Sequence, residues 1–109
     1  MIGVLGQVVA SASMALLYQA ESETVIATIM VCNTDTEPHE VHVSILRNGE
    51  TLSGSKQGIY AGYRLADKAT LTVTAGITLG PGDSVWVKSD AASVVVYTAF
   101  GEIAEEEVL

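Results

Sequence analysis

The sequence is poor in cysteine, in basic residues and in long apolar runs. Its single cysteine, Cys32, excludes an internal disulfide framework and every zinc motif that needs several cysteines. Five Lys and Arg residues against 13 acids cannot form a surface that tracks phosphates, so neither nucleic acid nor an anionic membrane is an expected partner. No run of about 18 apolar residues is present, and no basic residue precedes the apolar N-terminal segment as in a signal peptide. We expect a protein made in the cytoplasm.

The composition favours a single domain made of β-strands. The chain has 109 residues, of which 49% are apolar and 17% are charged, and this balance argues against global disorder. Valine occurs 14 times, threonine 10 times and isoleucine 7 times. These β-branched residues lose little by adopting the extended conformation, so their abundance predicts strands.

The longest predicted strand is Thr24–Asn33. Val25 and Ile29 belong to one alternating face and Ile26 and Met30 to the other, so both faces carry apolar residues. A helix is the competing interpretation for such a run, but the β-branched density and the flanking turn residues favour a strand. We therefore predict a central strand that is covered on both sides.

Turn signals divide the rest of the chain into short strands. Asn48-Gly49 is a strong hairpin signal, and Pro81-Gly82 suits the two central positions of a type II turn. Residues 52–57 are small and polar and predict a surface loop. The spacing gives about seven or eight strands, with no amphipathic helical segment. It predicts an all-β fold, a single antiparallel β-sandwich or a jelly-roll-like barrel.

Three segments are distinguished along the chain. Residues 1–13 are an apolar N-terminal arm or an edge strand, residues 14–104 the β-sandwich domain, and residues 105–109 an acidic C-terminal tail. The arm has few polar groups, so we expect it to pack against a neighbouring subunit or to add a strand to one. Four of the 13 acids lie in the last eight residues; without them nine acids and five bases remain, so half of the net charge of −8 is in that segment.

Few residues point to chemistry. His39 and His42 are three apart on a predicted strand, where they face opposite sides, and with Cys32 they would lack a fourth metal ligand. The segment Gly80–Asp83 opens onto a strand, and it therefore lacks the helix N-terminus that binds phosphate. Nucleophile, phosphate-loop and paired-carboxylate motifs are absent from the sequence. We predict no enzyme, no metal site, no cofactor and no catalytic residues.

Two aromatic residues are candidates for a binding surface. Trp86 lies between Val85 and Val87, so it faces outward or into a partner if these valines face the core. Core packing of Trp86 against a second sheet is the first expectation and an exposed interface anchor the alternative. Tyr60 and Tyr63 are three apart on a strand, so one of them is available for an interface or a sugar site.

The order of several short motifs resembles a family of small bacteriophage virion proteins. These motifs run from residue 3 to about residue 104: Val4-Leu5-Gly6-Gln7, Leu17-Tyr18, Val31-Cys32-Asn33, Ile59-Tyr60, Gly76-Ile77-Thr78-Leu79 and Phe100-Gly101-Glu102. The resemblance implies a particle component without enzymatic activity, located in the virion. Members of the family occur among both head-decoration and tail-associated proteins, and the glutamate-rich tail is not part of their pattern.

The resemblance implies one of two roles. The first is a capsid decoration (cement) protein that bridges capsomers and binds the major capsid protein. The alternative is a tail-associated module of a fibre, tip or collar that binds another virion protein or a host-surface glycan. Three-fold capsid positions favour a homo-oligomer, with a trimer expected. The candidate interface residues are Ile2, Val4, Leu5, Val8, Tyr60, Trp86, Glu105, Glu106 and Glu107.

Overall fold

The computed structural model describes residues 2–51, 58–74 and 76–103. These residues form nine strands: β1 (Ile2–Val9), β2 (Ala15–Gln19), β3 (Thr24–Asn33), β4 (His39–Leu46), β5 (Gly58–Leu65), β6 (Thr70–Val73), β7 (Ile77–Leu79), β8 (Ser84–Ser89) and β9 (Val95–Ile103). Over these ranges no helix is long and apolar enough to span a membrane. The predicted surface loop over 52–57 lies outside the described residues.

The strands form two antiparallel sheets that pack together as a β-sandwich. Sheet A has the order β1-β9-β3-β6, with the short strand β7 also paired to β3. Sheet B has the order β2-β8-β4-β5. Most connections cross from one sheet to the other, so chain neighbours come to lie in different layers. The prediction of an all-β sandwich is confirmed.

The core lies between the sheets and consists mainly of valines at alternate strand positions. In sheet B, Val41, Val43, Val85 and Val87 are completely buried. They face an inner layer of sheet A formed by Ile26, Ile29, Val31, Val95, Tyr97 and Ala99, each at most 1% exposed. Because side chains alternate along a strand, this core uses one face of each sheet and leaves the other outside.

Strand β3 is central, but one of its faces is open. A bulge lies between Ile26 and Thr28, so Ala27 has no partner in β9. Before the bulge Ile26 points inward, and after it the inward residues are Ile29 and Val31. The prediction of one unbroken alternation covered on both sides was wrong, because the extra residue shifts the inward face by one position. Val25 and Met30 consequently lie on the outside, each 40% exposed.

The N-terminal segment is an edge strand of the protein's own sheet. β1 pairs antiparallel with β9 from Ile2 opposite Glu102 to Val9 opposite Val96. Leu5 and Val8 turn inward and pack against the core, whereas Val4 points outward and is 62% exposed. Of the two alternatives for this segment, the structure shows the edge strand, and its apolar residues are used within the domain.

The turns form where the sequence places them. The Asp83 amide donates to the Gly80 carbonyl at 3.1 Å, and Gly82 has a φ of +87°, as the second central position of a type II turn requires. At the Asn-Gly turn the Glu50 amide donates to the Arg47 carbonyl at 3.0 Å. Three residues directly before the Gly80–Asp83 corner, Ile77–Leu79, form the additional strand β7, which the sequence pattern presents only as part of a corner.

Tyr97 joins the two sheets through a hydrogen bond in the core. Its side chain starts from β9 in sheet A, and its hydroxyl donates to the Lys88 carbonyl in sheet B at 2.6 Å. The same hydroxyl accepts from the His42 amide at 3.3 Å, and His42 and Lys88 face each other in the β4–β8 pairing. Burial raises the pKa of Tyr97 to about 12.

The buried hydroxyl predicts a loss of stability at alkaline pH. Unfolding exposes Tyr97, whose pKa then returns to about 10, so the unfolded state ionises first and stability falls between pH 10 and 12. We expect this to cost about 2 kcal/mol of unfolding free energy, and Tyr97→Phe to lack this part of the pH dependence. At pH 8 Tyr97→Phe should itself lose about 1–3 kcal/mol, because the Lys88 carbonyl loses its donor. Urea unfolding of the unchanged protein and of Tyr97→Phe at pH 8 and pH 11 measures both effects. An equal loss of unfolding free energy between these pH values in the two proteins would contradict the assignment.

Candidate interaction surfaces

His39 is held between two carboxylates at one end of the sandwich. Its Nε2 lies 2.7 Å from Asp35 Oδ2 and its Nδ1 lies 2.7 Å from Asp90 Oδ1. The hydrogen bond to Asp35, followed by the one to Asp90, raises the pKa of His39, while the bond from His39 lowers the pKa of Asp35. Partial burial opposes ionisation of Asp90, but the hydrogen bond from His39 still lowers its pKa. The protonated ring therefore ties the β3–β4 turn to the β8–β9 turn.

The Asp35–His39–Asp90 contact, which we call the clip, should contribute most to the stability of the fold in mildly acidic solution. The raised pKa of His39 stabilises the fold below pH 6.5, and this contribution is lost as the pH rises through the folded value. The lowered carboxylate pKa values stabilise it above about pH 3.8, and this part is lost as the pH falls. We expect His39→Gln to abolish the fall in thermal stability between pH 6 and pH 8 that the clip causes.

His42 provides a contrasting variant for the same pH series. Burial, followed by the nearby Lys88, lowers the pKa of His42, so its contribution to stability rises as the pH increases toward 6.5, whereas that of His39 falls above pH 6.5. His42→Gln should therefore remove the rise below pH 6.5 and leave the decline above it, which His39→Gln removes. Thermal melting of the two variants and the unchanged protein across pH 5 to 8 checks both signs, and identical slopes in all three would exclude the clip.

The structure does not bring the three possible metal ligands together. His42 Nδ1 accepts a hydrogen bond from the Gly62 amide at 3.1 Å, and His39 is occupied by its carboxylates. Cys32 lies in sheet A, whereas both histidines lie on β4 in sheet B. Within the described ranges no group of three or more His, Cys, Asp and Glu side chains has a geometry suited to a metal ion.

The outer face of sheet A is a broad surface with little charge. Its rows follow the strand register across β1, β9, β3 and either β6 or β7. Its described side chains are Val4, Gln7, Val9, Val25, Thr28, Met30, Cys32, Thr70, Thr72, Thr78, Val96, Thr98, Phe100 and Glu102. Among these side chains Glu102 carries the only charge. Val4, Val9, Val25 and Met30 are each at least 40% exposed, so large apolar side chains concentrate here.

The outer face of sheet B carries the tryptophan. Val85 and Val87 occupy the core positions of β8, so Trp86 lies on the opposite face and is half-buried. Its Nε1 donates to Ser84 Oγ at 2.8 Å, and its strand neighbours are Leu16 and Ser44. The expectation that Trp86 packs between the sheets was wrong, because the two valines already fill the inward positions. The outward alternative is the observed one.

The candidate interface residues are divided among separate surfaces. The β1 positions belong to sheet A, where Val4 is outside and Leu5 and Val8 face the core. Trp86 and the backbone of Tyr60 belong to sheet B, on strands that flank β4. The side chains of Ile2 and Tyr60 and residues Glu105, Glu106 and Glu107 lie outside what the structure describes.

Acidic side chains lie at both ends of the sandwich, with Asp35, Glu37, Asp67 and Asp90 at one of them. The other, which we call the acidic end, holds Glu21, Glu23, Asp83 and Glu102 in the described chain, with Arg47 near Asp83, because β9 ends beside the start of β3 and the Ala20 amide donates to the Asp83 carbonyl at 2.9 Å. Hydrogen bonds from the Asn48 and Gly80 amides lower the pKa of Asp83 and keep it ionised. β9 ends here at Ile103, and the glutamate-rich tail follows in the sequence.

Two residues that matter most for these surfaces escaped sequence reasoning. Asn33 is completely buried and its amide group bonds the turn beside His39, while Gly101 allows β9 to approach β3 closely. Both lie in the motifs Val31-Cys32-Asn33 and Phe100-Gly101-Glu102. The motifs were the available signal, but nothing in the sequence shows which contact each residue makes.

Comparisons of the chain with protein-family models, with curated proteins and with solved structures found no match. Function has therefore to be inferred from the surfaces of the chain itself.

Proposed function

We propose that the chain is a non-enzymatic structural component of a bacteriophage particle, a capsid decoration protein that bridges capsomers. The observation that carries this proposal is the acidic end, where exposed Glu21, Glu23 and Glu102 lie around the end of β9 at Ile103, just before the acidic tail in the sequence. Such a surface suits a basic patch on the major capsid protein, since complementary charge steers and orients protein association.

The positions of the resemblance motifs agree with a structural role. Asn33 and Gly101 serve the packing of the sandwich, and Gly6 lets β1 approach β2, because a Cβ there would collide with the Leu17 carbonyl. Each of these residues has a structural role in the fold. The motifs thus maintain the sandwich, and its exposed surfaces are available for binding.

The copy number in purified particles of the encoding phage tests the location. Hundreds of copies in each particle support a capsid lattice, whereas about a dozen or fewer indicate a site of the tail symmetry. The deletion of residues 1–10 is a poor test of binding, because it removes β1 and with it the core contacts of Leu5 and Val8.

Charge-neutralising variants test the docking surface directly. We expect two sets of substitutions to lower the number of copies that bind to capsids assembled without this protein. The first is Glu21→Gln with Glu23→Gln, and the second is Glu105→Gln, Glu106→Gln and Glu107→Gln together. The matched control is Glu37→Gln with Asp67→Asn, which removes two exposed acids from the opposite end. Equal occupancy by the acidic-end variants and the control would refute docking through the acidic end. Added salt should weaken the binding as it screens the charges.

A tail-associated module that binds a host-surface glycan is the second candidate, and the outward position of Trp86 favours it. An indole on an open sheet face can stack on a sugar ring. Trp86 is the only tryptophan of the chain, so its fluorescence reports on this surface alone. A shift on titration with host polysaccharide, together with calorimetric binding that Trp86→Phe abolishes, would support the tail-associated role, and silence across a broad panel would count against it.

A further inference from the structure

We infer that the outer face of sheet A, defined above, is where a second copy of this chain packs, so that two copies associate face to face about a two-fold axis. This inference is independent of the assignment to a virion. It concerns the four-stranded face from Val4 and Val9 on β1 to Thr70 and Thr72 on β6.

Three rows of this face carry no charge along their whole width, and Glu102 lies in the remaining row at the margin. One row runs Val9, Val96, Cys32, Thr70, and the next runs Gln7, Thr98, Met30, Thr72. A third row joins Val4, Phe100 and Thr28. Val4 and Val9 on the edge strand β1 are 62% and 53% exposed, and Val25 and Met30 on the central strand β3 are each 40% exposed. Large exposed aliphatic side chains grouped on one face with little charge favour an interaction site.

Charge selects a second copy as the occupant. Each chain carries a net charge of −8, so two copies repel each other through any surface that holds the acids. The acidic end carries Glu21 and Glu23, and the outer face of sheet B carries Glu40, Arg64 and Lys88, whose charges a contact would have to separate from water. The outer face of sheet A has only Glu102, at its margin, so two copies meet here with little repulsion and lose the fewest charge–water contacts.

The size of the face fits a specific but modest dimer. Four strands about 4.8 Å apart and about eight residues long cover roughly 500 Å² of flat area on each copy. Two copies therefore bury about 1,000 Å² in total, not counting the extra area of side chains that project from the flat sheet. A total of about 1,000 Å² is the lower bound for a specific interface. The association should accordingly be concentration-dependent.

The symmetry follows from the same distribution of charge. A two-fold contact brings this weakly charged face against itself, whereas a trimer requires each face to meet a different surface of its neighbour. The other surfaces of the described chain carry acids. The two-fold dimer therefore differs from the trimer that three-fold capsid positions favour, and the measured stoichiometry decides between them.

Equilibrium sedimentation of the full chain, from low micromolar to near-millimolar concentration, tests the inference. We expect the mass to rise from 11.4 kDa toward twice that value, and the association to strengthen with added salt as the repulsion between acidic chains is screened. A reducing agent keeps Cys32 from linking copies covalently. A monomer throughout, or a limiting mass of three chains, would overturn the two-fold dimer.

A pair of matched variants locates the contact. Met30→Glu places a new charge in the centre of the face and should raise the dissociation constant about tenfold or more, because two like charges then meet. Leu16→Glu adds the same charge on the outer face of sheet B. The two positions are matched in exposure, since Leu16 is 42% exposed and Met30 is 40% exposed. That control should leave the association unchanged. Equal weakening by both variants would refute this face.

A second variant keeps the test decisive if Met30→Glu does not fold. Thr72 lies beside Met30 on the short strand β6 and is exposed, so Thr72→Glu adds a charge to the same row at a position outside the core. Circular dichroism confirms that each variant is folded before sedimentation. A folded Thr72→Glu variant that still dimerises like the unchanged chain would overturn the inference.

Discussion

Gly101→Ala is expected to destabilise the protein by about 3 kcal/mol or more. Gly101 lies opposite Ile26, next to the bulge in β3, and the two backbones approach closely there. A Cβ on Gly101 would collide with the Val25 carbonyl oxygen and lie 2.9 Å from the Ile26 Cα. Both neighbours are backbone atoms at the centre of sheet A, so the added methyl group can be accommodated only by separating the β9 and β3 strands.

Gly3→Ala is the matched control for this prediction. Gly3 is the partner of Gly101 in the β1–β9 pairing, and its added Cβ would meet no atom within 4 Å. We expect Gly3→Ala to change the unfolding free energy by less than about 0.5 kcal/mol. Urea unfolding of the two variants measures the difference. A Gly101→Ala protein as stable as Gly3→Ala would show that β9 and β3 can separate at little cost.

Asn33→Ala is expected to cost about 2–4 kcal/mol, because one buried side chain bonds several backbone groups. Its Nδ2 donates to the carbonyls of Glu37, Leu65 and Ala66 at 2.9, 3.2 and 3.1 Å. Its Oδ1 accepts from the Asp35 amide at 3.0 Å. Alanine leaves these groups without their partner at a completely buried position and also frees the turn that presents Asp35 to His39.

Two further variants separate the hydrogen bonds from the volume of the side chain. Asn33→Asp keeps the acceptor for the Asp35 amide but replaces the donor with an anion facing three carbonyls, so it should be at least as damaging as alanine. Asn48→Ala, at the exposed Asn-Gly turn, should cost less than about 0.5 kcal/mol. Thermal and urea unfolding compare the three proteins; an Asn33→Asp variant of unchanged stability would contradict the assigned hydrogen bonds.

The strands were predictable because their signals are local. The bounds of Thr24–Asn33 match β3, and the turns at Asn48-Gly49 and Pro81-Gly82 follow from the positive φ that glycine tolerates. Which residues of β3 face the core was not predictable. The bulge at Ala27 arises in the pairing of β3 with β9, which is about seventy residues away in the chain. Periodicity describes a strand, whereas a bulge belongs to a pair of strands.

The surfaces show the same division. That Trp86 and the valines beside it face opposite ways was predictable from alternation, but which face is the core depends on how sheet B packs on sheet A. The uncharged face of sheet A joins residues from β1, β3, β6, β7 and β9, which only the strand order brings together. The Asp35–His39–Asp90 clip depends likewise on two turns that meet in space.

The sequence by itself determined the β-class, the single domain, the main turns and the acidic net charge, because composition, alternation and turn chemistry act over a few residues. The tertiary structure decided where that charge is absent. Pairing of distant strands placed threonines, valines and one methionine on a single open sheet face and left most of the acids to the ends of the sandwich. Charge is a property of single residues, whereas a surface is a property of neighbours, and neighbours across a sheet are set by hydrogen-bond register.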